Sequence, residues 1–274
     1  MKKAVIVIPV YRVFTPTEAF AFRQCVDVLG SHPISVICPK NLDVSFIDGF
    51  RKNTDINYVR FEPKYFEGIK GYNNLLLTPS FYERFAEYEY MLIYQLDAFV
   101  FHDCLDYWVD RGFDYIGAPW VPNSSIFQAT FGDLVRWIRR TCHPAGTTLR
   151  ITHAQMHYRV GNGGFSLRNI AKMKETCERF ADEISLLKAG EARAQEDIFL
   201  SLYIQKKAGI KVPGWKEAAA FSIENNPRRC LKLTKGKLPF GCHGWSRGRV
   251  WKKFWHRYIP YNPEFGKLEG DMIL

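Results

Sequence analysis

The sequence predicts an α/β protein with a single, mostly parallel central sheet that is covered by helices on both faces. Four short apolar runs end in polar or proline-marked turns and read as buried strands: AVIVIPV, ISVICPK, INYVRFEP and EYMLIYQLD. Helical segments separate these runs, and strands that alternate with helices indicate βαβ units. The chain has 274 residues, of which 47% are hydrophobic, so it is long enough for one large domain with an ample core.

The first predicted helix lies in TPTEAFAFRQCVDVLGS, where Thr15 or Thr17 suits the N-cap and Gly30 suits the stop. VSFIDGFRK and PSFYERFAEYE supply further helical candidates, as do AKMKETCERFADEISLLK and AQEDIFLSLYIQKKAG after the strand-like YRVGNGGFSLRNI. Residues 121–158 break the alternation with polar turns, three histidines and a short predicted helix, Asp133–Arg140. We interpret this stretch as an irregular excursion within one domain, residues 1–246, which a basic aromatic tail, residues 247–274, follows.

Composition narrows the possible partners and location. The chain carries 38 Lys and Arg against 28 Asp and Glu, and a net charge of +10 suggests an anionic partner: nucleic acid, a phosphorylated substrate or an acidic membrane surface. Seven cysteines without a CxxC pair fit reduced structural thiols better than a disulfide framework or a zinc site. The apolar run Ala4–Val10 is short and contains Pro9, so we expect a strand rather than a signal peptide, and a cytoplasmic protein.

Candidate binding residues follow two of the predicted strands. The stretch PVYR contributes Pro9, Tyr11 and Arg12, and the stretch QLD contributes Gln95 and Asp97. Ligands of open α/β sheets bind at the carboxyl ends of the strands, so these residues are expected to share one crevice. A role for Asp97 as a turn or cap residue fits the same position.

Three further motifs contain residue types that carry chemistry. GNGG, residues 161–164, lets the backbone approach a ligand or form a tight hairpin, but it lacks the spacing of a dinucleotide loop. QED places Glu196 and Asp197 at the start of a helix, where the helix dipole also favours acidic residues. In FGCHGW, flanking glycines would leave the ring of His243 accessible.

The order of these motifs resembles that of the GT-A glycosyltransferases, including glycogenin-like and lipopolysaccharide galactosyltransferase members. LDAFVFHDCLDYW follows their layout, with Asp97 in the first acidic position and Asp103 in a later one, but Phe99 stands at the second metal-binding acidic position. YQLDAFVF, GFDYIGAPW, GNGGFSLRN, EDIF and GCHGW together resemble a bacterial family of glycosyltransferase-like domains of unknown function. The resemblance spans about Ala4–Trp245 and implies a GT-A-like fold.

The resemblance implies transfer of a sugar from a nucleotide donor, most often UDP-linked, to a hydroxyl of a surface polysaccharide or lipid-linked glycan. Asp97 and His243 are then expected to hold Mn²⁺ or Mg²⁺ against the donor diphosphate, a dependence that Phe99 puts in question. Asp197 is expected to be the base that takes the acceptor proton, which favours inversion, and Glu196 is expected to orient the acceptor.

The remaining candidate site residues concern the nucleoside and the acceptor. Tyr11 and Arg12, with Asn73 and Asn74 of GYNN, are candidates to hold the nucleoside, although GYNN fits the polar start of a helix equally well. Acceptor contacts are expected from the glycine turn at Gly163 and Gly164 and from Trp245.

The tail offers one amphipathic pattern with two interpretations. On a helix, apolar side chains from Val250 to Tyr258 form one face with basic residues around it. Such a helix is typical of an interfacial membrane anchor, which predicts peripheral attachment, but it also fits a terminal helix that docks on the core. Two rival functions are a nucleic-acid-binding protein, which lacks RRM, KH and zinc-finger signatures, and a catalytically inactive GT-A-fold interaction module.

Overall fold

The computed structural model describes residues 2–52, 54–122, 153–189 and 195–262, together with positions 135 and 138. In these ranges it has nine strands, which we number in chain order. They are β1 (Lys2–Pro9), β2 (Ile34–Pro39), β3 (Ile56–Phe61), β4 (Tyr88–Tyr94), β5 (Ala98–Val100), β6 (Tyr115–Ile116), β7 (Phe165–Asn169), β8 (Ser222–Ile223) and β9 (Gly241–His243). Most of the predicted excursion and the helix expected at Asp133–Arg140 lie outside the described residues.

Six of these strands form the central sheet in the order β3-β2-β1-β4-β7-β6. The β1–β2, β2–β3 and β1–β4 pairs are parallel, whereas β7 is antiparallel to both of its neighbours. The prediction of a mostly parallel sheet is therefore confirmed. Because Val7 of β1 pairs with Ile93 of β4, the carboxyl ends of these two strands lie side by side.

Both faces of the sheet are buried, and the side chains of β1 show how. Ile6 and Ile8 belong to one hydrophobic cluster, while Val5 and Val7 belong to another on the opposite face. Successive side chains of a strand point to opposite faces, so a run of apolar residues such as AVIVIPV is suited to a sheet covered on both sides.

Helices connect the strands largely where the sequence predicts them. The α-helices span Pro16–Leu29, Gly68–Leu76, Pro79–Glu83, Leu105–Asp110, His153–Met156, Ile170–Arg179, Ala181–Ala189, Glu196–Ile198, Gln205–Ala208, Trp215–Phe221, Pro227–Leu233 and Gly248–Lys253. Short 3₁₀ turns occur at Ser45–Ile47, Pro63–Phe66 and Trp255–Arg257, and Phe199–Tyr203 is a π-helix. Thr15 is the N-cap of the first helix, and its amide donates a 2.8 Å hydrogen bond to Glu18. The helix expected in VSFIDGFRK is reduced to a single 3₁₀ turn.

A small second sheet holds the segment that follows β4. Its strands lie in the order β5-β9-β8, and β5 pairs with β9 so that Ala98 faces His243. This pairing brings residues nearly 150 positions apart in sequence to one end of the central sheet, and it places His243 beside the turn that carries Asp97.

The tail differs from its prediction as one continuous helix. The helix ends at Lys253, because Phe254 leaves helical geometry (φ −142°, ψ −63°), and a 3₁₀ turn follows. Phe254, Trp255 and Ile259 are buried in a third hydrophobic cluster that also contains Phe99 and Trp245. The docked arrangement therefore accounts for most of the apolar face, and peripheral membrane attachment stays a prediction. None of the described helices combines the length and the apolar character needed to cross a bilayer.

Candidate functional site

A cavity of about 720 Å³ opens at the carboxyl ends of β1 and β4. Its walls contain most of the residues that the sequence singled out. The residues predicted to bind the donor, the acceptor or a metal, or to act as the base, that line this cavity are Pro9, Tyr11, Arg12, Asn73, Gln95, Asp97, Gly163, Gly164, Glu196, Asp197 and His243. The predicted crevice between the ends of two neighbouring strands is therefore present.

A cluster of four charged side chains forms one wall of the cavity. His243 Nε2 lies 2.9 Å from Asp97 Oδ1, and its Nδ1 lies 3.2 Å from Glu224 Oε1. The Arg247 guanidinium covers this group, with Nη2 2.7 Å from Asp97 Oδ2 and Nη1 3.1 Å from Glu224 Oε1. Each carboxylate thus faces both an imidazole and a guanidinium.

The contacts within this cluster fix its protonation. Burial alone would raise the pKa of Asp97, but the hydrogen bond and charge of His243, together with Arg247, outweigh burial and hold that pKa at about 2. Burial would lower the pKa of His243, yet hydrogen bonds to Asp97 and Glu224 raise it to about 9. At neutral pH the cluster therefore holds two carboxylates, an imidazolium and a guanidinium.

The GNGG motif brings backbone against the charged residues of the cavity. A Cβ atom on Gly164 would lie 2.0 Å from His243 Nε2, and one on Gly163 would lie 3.0 Å from Glu196 Oε1. The turn is held by Asn162, whose side-chain oxygen accepts a 2.9 Å hydrogen bond from the Gly164 amide. Glycine is required at position 164 because any side chain there would collide with His243, whereas a side chain at position 163 would be in tight contact with Glu196.

The two adjacent carboxylates, Glu196 and Asp197, have different surroundings. Arg168 Nη2 donates to Glu196 Oε1 at 2.5 Å, and both of these side chains are almost completely buried. Asn73 also accepts a 3.1 Å hydrogen bond from the Glu196 amide, which ties this helix start to the helix Gly68–Leu76. Glu196 is therefore engaged by a fixed cation.

The Asp197 carboxyl is buried against the cavity without such an ion pair among the described residues. Its Oδ1 accepts a 2.8 Å hydrogen bond from the Ile198 amide. Burial, followed by the negative charge of Glu196, raises its pKa to about 7. A carboxyl that titrates near neutral pH is suited to exchange protons with a ligand.

The chemistry of the donor atoms does not fit a divalent ion at Asp97 and His243 in this arrangement. Arg247 already donates to the carboxylate oxygens that would ligate such an ion, and carboxylates engage both ring nitrogens of His243. Within the described ranges, no group of three or more His, Cys, Asp or Glu side chains is placed to hold a metal. The expectation of Mn²⁺ or Mg²⁺ thus finds no support in these residues.

Three residues from the sequence analysis lie elsewhere. Trp245 is fully buried and packs against Phe20 and Phe99, so the contact predicted between Trp245 and an acceptor is wrong in this structure. Asn74 does not line the cavity, which this helix faces through Gly68, Ile69, Tyr72 and Asn73. Asp103 pairs with His32 at 2.8 Å, away from the cavity.

Sequence reasoning missed Arg168, Glu224 and Arg247. Glu224 follows β8, and Arg247 lies in a turn four residues after His243. Arg168 is the fifth residue of GFSLRN, and an arginine next to Leu167 in a predicted buried strand was the available signal for a buried ion pair. Nothing in the local pattern of Glu224 or Arg247 distinguishes them from ordinary surface residues.

Comparison with known proteins gives a family and a fold. A family model described as "Protein of unknown function (DUF5672)" matches residues 55–243. Among curated proteins, no sequence matches this chain significantly.

Several solved glycosyltransferases have a similar fold at low sequence identity. The apo form of glycosyltransferase GlyE from Streptococcus pneumoniae TIGR4 matches with a TM-score of 0.53 and 13% identity, over 98% of this chain and 63% of the GlyE chain. The galactosyltransferase LgtC, solved in complex with donor and acceptor sugar analogs, matches with a TM-score of 0.54 and 13% identity, over 96% of this chain and 99% of that one. The bifunctional glycosyltransferase WbbM matches with a TM-score of 0.50 and 13% identity, over 88% of this chain and 45% of that chain. The predicted GT-A-like fold is thereby confirmed.

Proposed function

The chain belongs to the family described as "Protein of unknown function (DUF5672)", and from that premise we propose that it is a glycosyltransferase that uses a nucleotide-sugar donor. The proposal places the donor diphosphate at the wall formed by Asp97, His243, Glu224 and Arg247, and the reacting sugar between that wall and Asp197. The similar folds of the glycosyltransferase GlyE and the galactosyltransferase LgtC support it by analogy.

The observation that carries the proposal is the pairing of two unlike sites in one cavity. One wall carries cationic side chains held by carboxylates, which suits a phosphate group. The other site is Asp197, a buried carboxyl whose pKa of about 7 lets it accept a proton at neutral pH. Sugar transfer needs both, because a diphosphate leaves with negative charge while an acceptor hydroxyl loses a proton.

Asp197 is the base in this proposal, and Glu196 is a positioning residue. Arg168 already neutralises Glu196, so that carboxylate is held in place and orients the start of the helix that carries Asp197. A base on the acceptor side supports inversion of the sugar configuration. The donor we propose is UDP-linked, and the acceptor is a hydroxyl of a surface polysaccharide or a lipid-linked glycan.

Binding of nucleoside diphosphates tests this proposal. UDP, GDP and CDP are titrated separately while the melting temperature is followed, since a ligand at 100 times its Kd stabilises the folded state by about 2.7 kcal/mol. We expect UDP to raise the melting temperature. Asp97→Ala should lose most of that shift while circular dichroism shows it folded, because the variant lacks the carboxylate that holds both His243 and Arg247 in place.

Asp103→Ala provides the matched control, because Asp103 is a neighbouring carboxylate that pairs with His32 and does not line the cavity. This variant should keep the full shift. If no nucleoside diphosphate stabilises the parent protein, or if Asp97→Ala shifts as much as the parent, the proposed donor site is wrong.

A further inference from the structure

We propose that Arg247 supplies the fixed positive charge that binds the donor diphosphate, in the place where the sequence leads one to expect a divalent ion. The protein would then bind nucleoside diphosphates without a metal. This inference rests on the proposed function and narrows it to a particular mode of donor recognition.

The first support is the position of the guanidinium. Arg247 Nε and Nη2 both donate to Asp97 Oδ2, at 3.1 and 2.7 Å, and Nη1 donates to Glu224 Oε1 at 3.1 Å. Two carboxylates alone at this wall would repel a diphosphate. With the guanidinium bound between them, a positive group faces the cavity, and three of the five N–H donors of an arginine are used to hold it.

The second support is that the local backbone is shaped for this side chain. Gly244 has a left-handed φ of +66°, and its amide donates a 2.8 Å hydrogen bond to the Asp97 carbonyl. A Cβ atom on Gly244 would lie 3.1 Å from Arg247 Cδ and Nε. The absence of a side chain at Gly244 therefore lets Arg247 fold back over His243, so the guanidinium is placed by the turn.

The third support comes from the other cations of the cavity. Among the described lining residues, Arg12, His243 and Arg247 are the basic ones. Arg12 is engaged by both oxygens of Glu18, at 2.7 and 2.8 Å, and the side chain of His243 is 7% exposed with both ring nitrogens facing carboxylates. The side chains of Arg247 and Arg12 are similarly exposed, at 55% and 48%, and both are paired with carboxylates, but of these two Arg247 is the one at the wall of Asp97 and His243 where we place the diphosphate.

Isothermal titration of UDP, GDP and CDP, each with EDTA and each with Mn²⁺, tests the inference. We expect the parent to bind the preferred diphosphate equally well in both conditions. In EDTA, Arg247→Ala should lose about 10- to 100-fold in affinity, the effect of losing a charged hydrogen-bond donor, and Arg247→Lys should lose less. Arg111→Ala is the matched control, because Arg111 is a half-exposed arginine that pairs with Glu217 outside the cavity.

Arg111→Ala should bind the diphosphate as tightly as the parent does. Diphosphate binding by the parent only when Mn²⁺ is present, or unchanged affinity in Arg247→Ala, would each overturn the inference and leave the glycosyltransferase proposal intact. Failure of all three diphosphates to bind in either condition would overturn both.

Discussion

Arg168 forms a buried ion pair with Glu196, in which Arg168 Nη2 donates a 2.5 Å hydrogen bond to Glu196 Oε1 and both side chains are almost closed to solvent. This contact distinguishes the two neighbouring carboxylates of the cavity. Glu196 is neutralised by a buried cation, whereas Asp197 keeps a pKa of about 7, which burial and then the charge of Glu196 raise. One carboxylate therefore supports the site and the other is suited to react in it.

The buried pair should matter to stability. Glu196→Gln leaves the Arg168 charge without its ionic partner in a closed site, so we expect the free energy of unfolding to fall by about 3–5 kcal/mol. Urea denaturation measures this change. Glu175→Gln is the control, because Glu175 pairs with Lys172 on the surface and its loss should change stability by less than about 1 kcal/mol. Equal effects of the two variants would show that the Arg168 contact does not stabilise the fold.

Asp197 should instead reduce stability as the pH rises. Its folded-state pKa of about 7 lies above the ordinary value of 3.8, so the Asp197 carboxyl ionises more readily in the unfolded chain than in the folded protein. The free energy of unfolding therefore falls as the pH rises from about 4 to about 7. Asp197→Asn lacks that loss. The variant should therefore melt at a progressively higher temperature than the parent as the pH rises from 4 to 7, with a constant difference above. A difference that does not change with pH would contradict the raised pKa.

Gly164 should tolerate no side chain. In Gly164→Ala the new Cβ would lie 2.0 Å from His243 Nε2, so His243 must move away from Asp97 and nucleoside diphosphate binding should be lost. Gly49→Ala is the control, because a Cβ there meets nothing within 4 Å. Titration calorimetry with nucleoside diphosphates measures the affinity of both variants. Retained binding by Gly164→Ala would show that this turn is not part of the binding site.

The tail should stabilise the fold. Trp255 is fully buried beside Phe101 and Phe254, so Trp255→Ala is expected to lower the free energy of unfolding by about 3–5 kcal/mol. Tyr258→Ala is a useful comparison, because Tyr258 is 39% exposed and should lose much less. A loss below 1 kcal/mol for Trp255→Ala would mean that the tail is not docked, and binding of the protein to anionic liposomes would then test the membrane interpretation directly.

Local sequence patterns predicted much of the fold. Apolar runs located β1 to β4 because a strand buried on both faces leaves a strong hydrophobic signal, and Thr15 marked a helix start through its cap. The prediction of one continuous helix in the tail was wrong for a physical reason. The helical periodicity of the sequence continues through Phe254, but packing of Phe254 and Trp255 in the third cluster ends the helix. Tertiary contacts of this kind cannot be read from spacing alone.

The site was predictable where it depends on strand ends and was missed where it depends on long-range pairing. Asp97 and Tyr11 follow neighbouring strands, so the sequence alone placed them in one crevice. Glu224 reaches His243 through the pairing of β8 and β9, and Arg247 reaches Asp97 because β9 pairs with β5; the sequence showed no signal for either pairing. The buried position of Trp245 likewise depends on packing against Phe99.

Release of a nucleoside diphosphate from sugar nucleotides tests the central claim most directly. The parent protein and Asp197→Asn are incubated with a panel of UDP-, GDP- and CDP-linked sugars, with simple glycans as acceptors and with water alone. We expect the parent to cleave at least one donor, and Asp197→Asn to bind that donor nearly as well while cleaving it about 10²- to 10⁴-fold more slowly, the usual contribution of an acid–base group. Cleavage of no donor by the parent, or an unchanged rate in Asp197→Asn, would contradict the account.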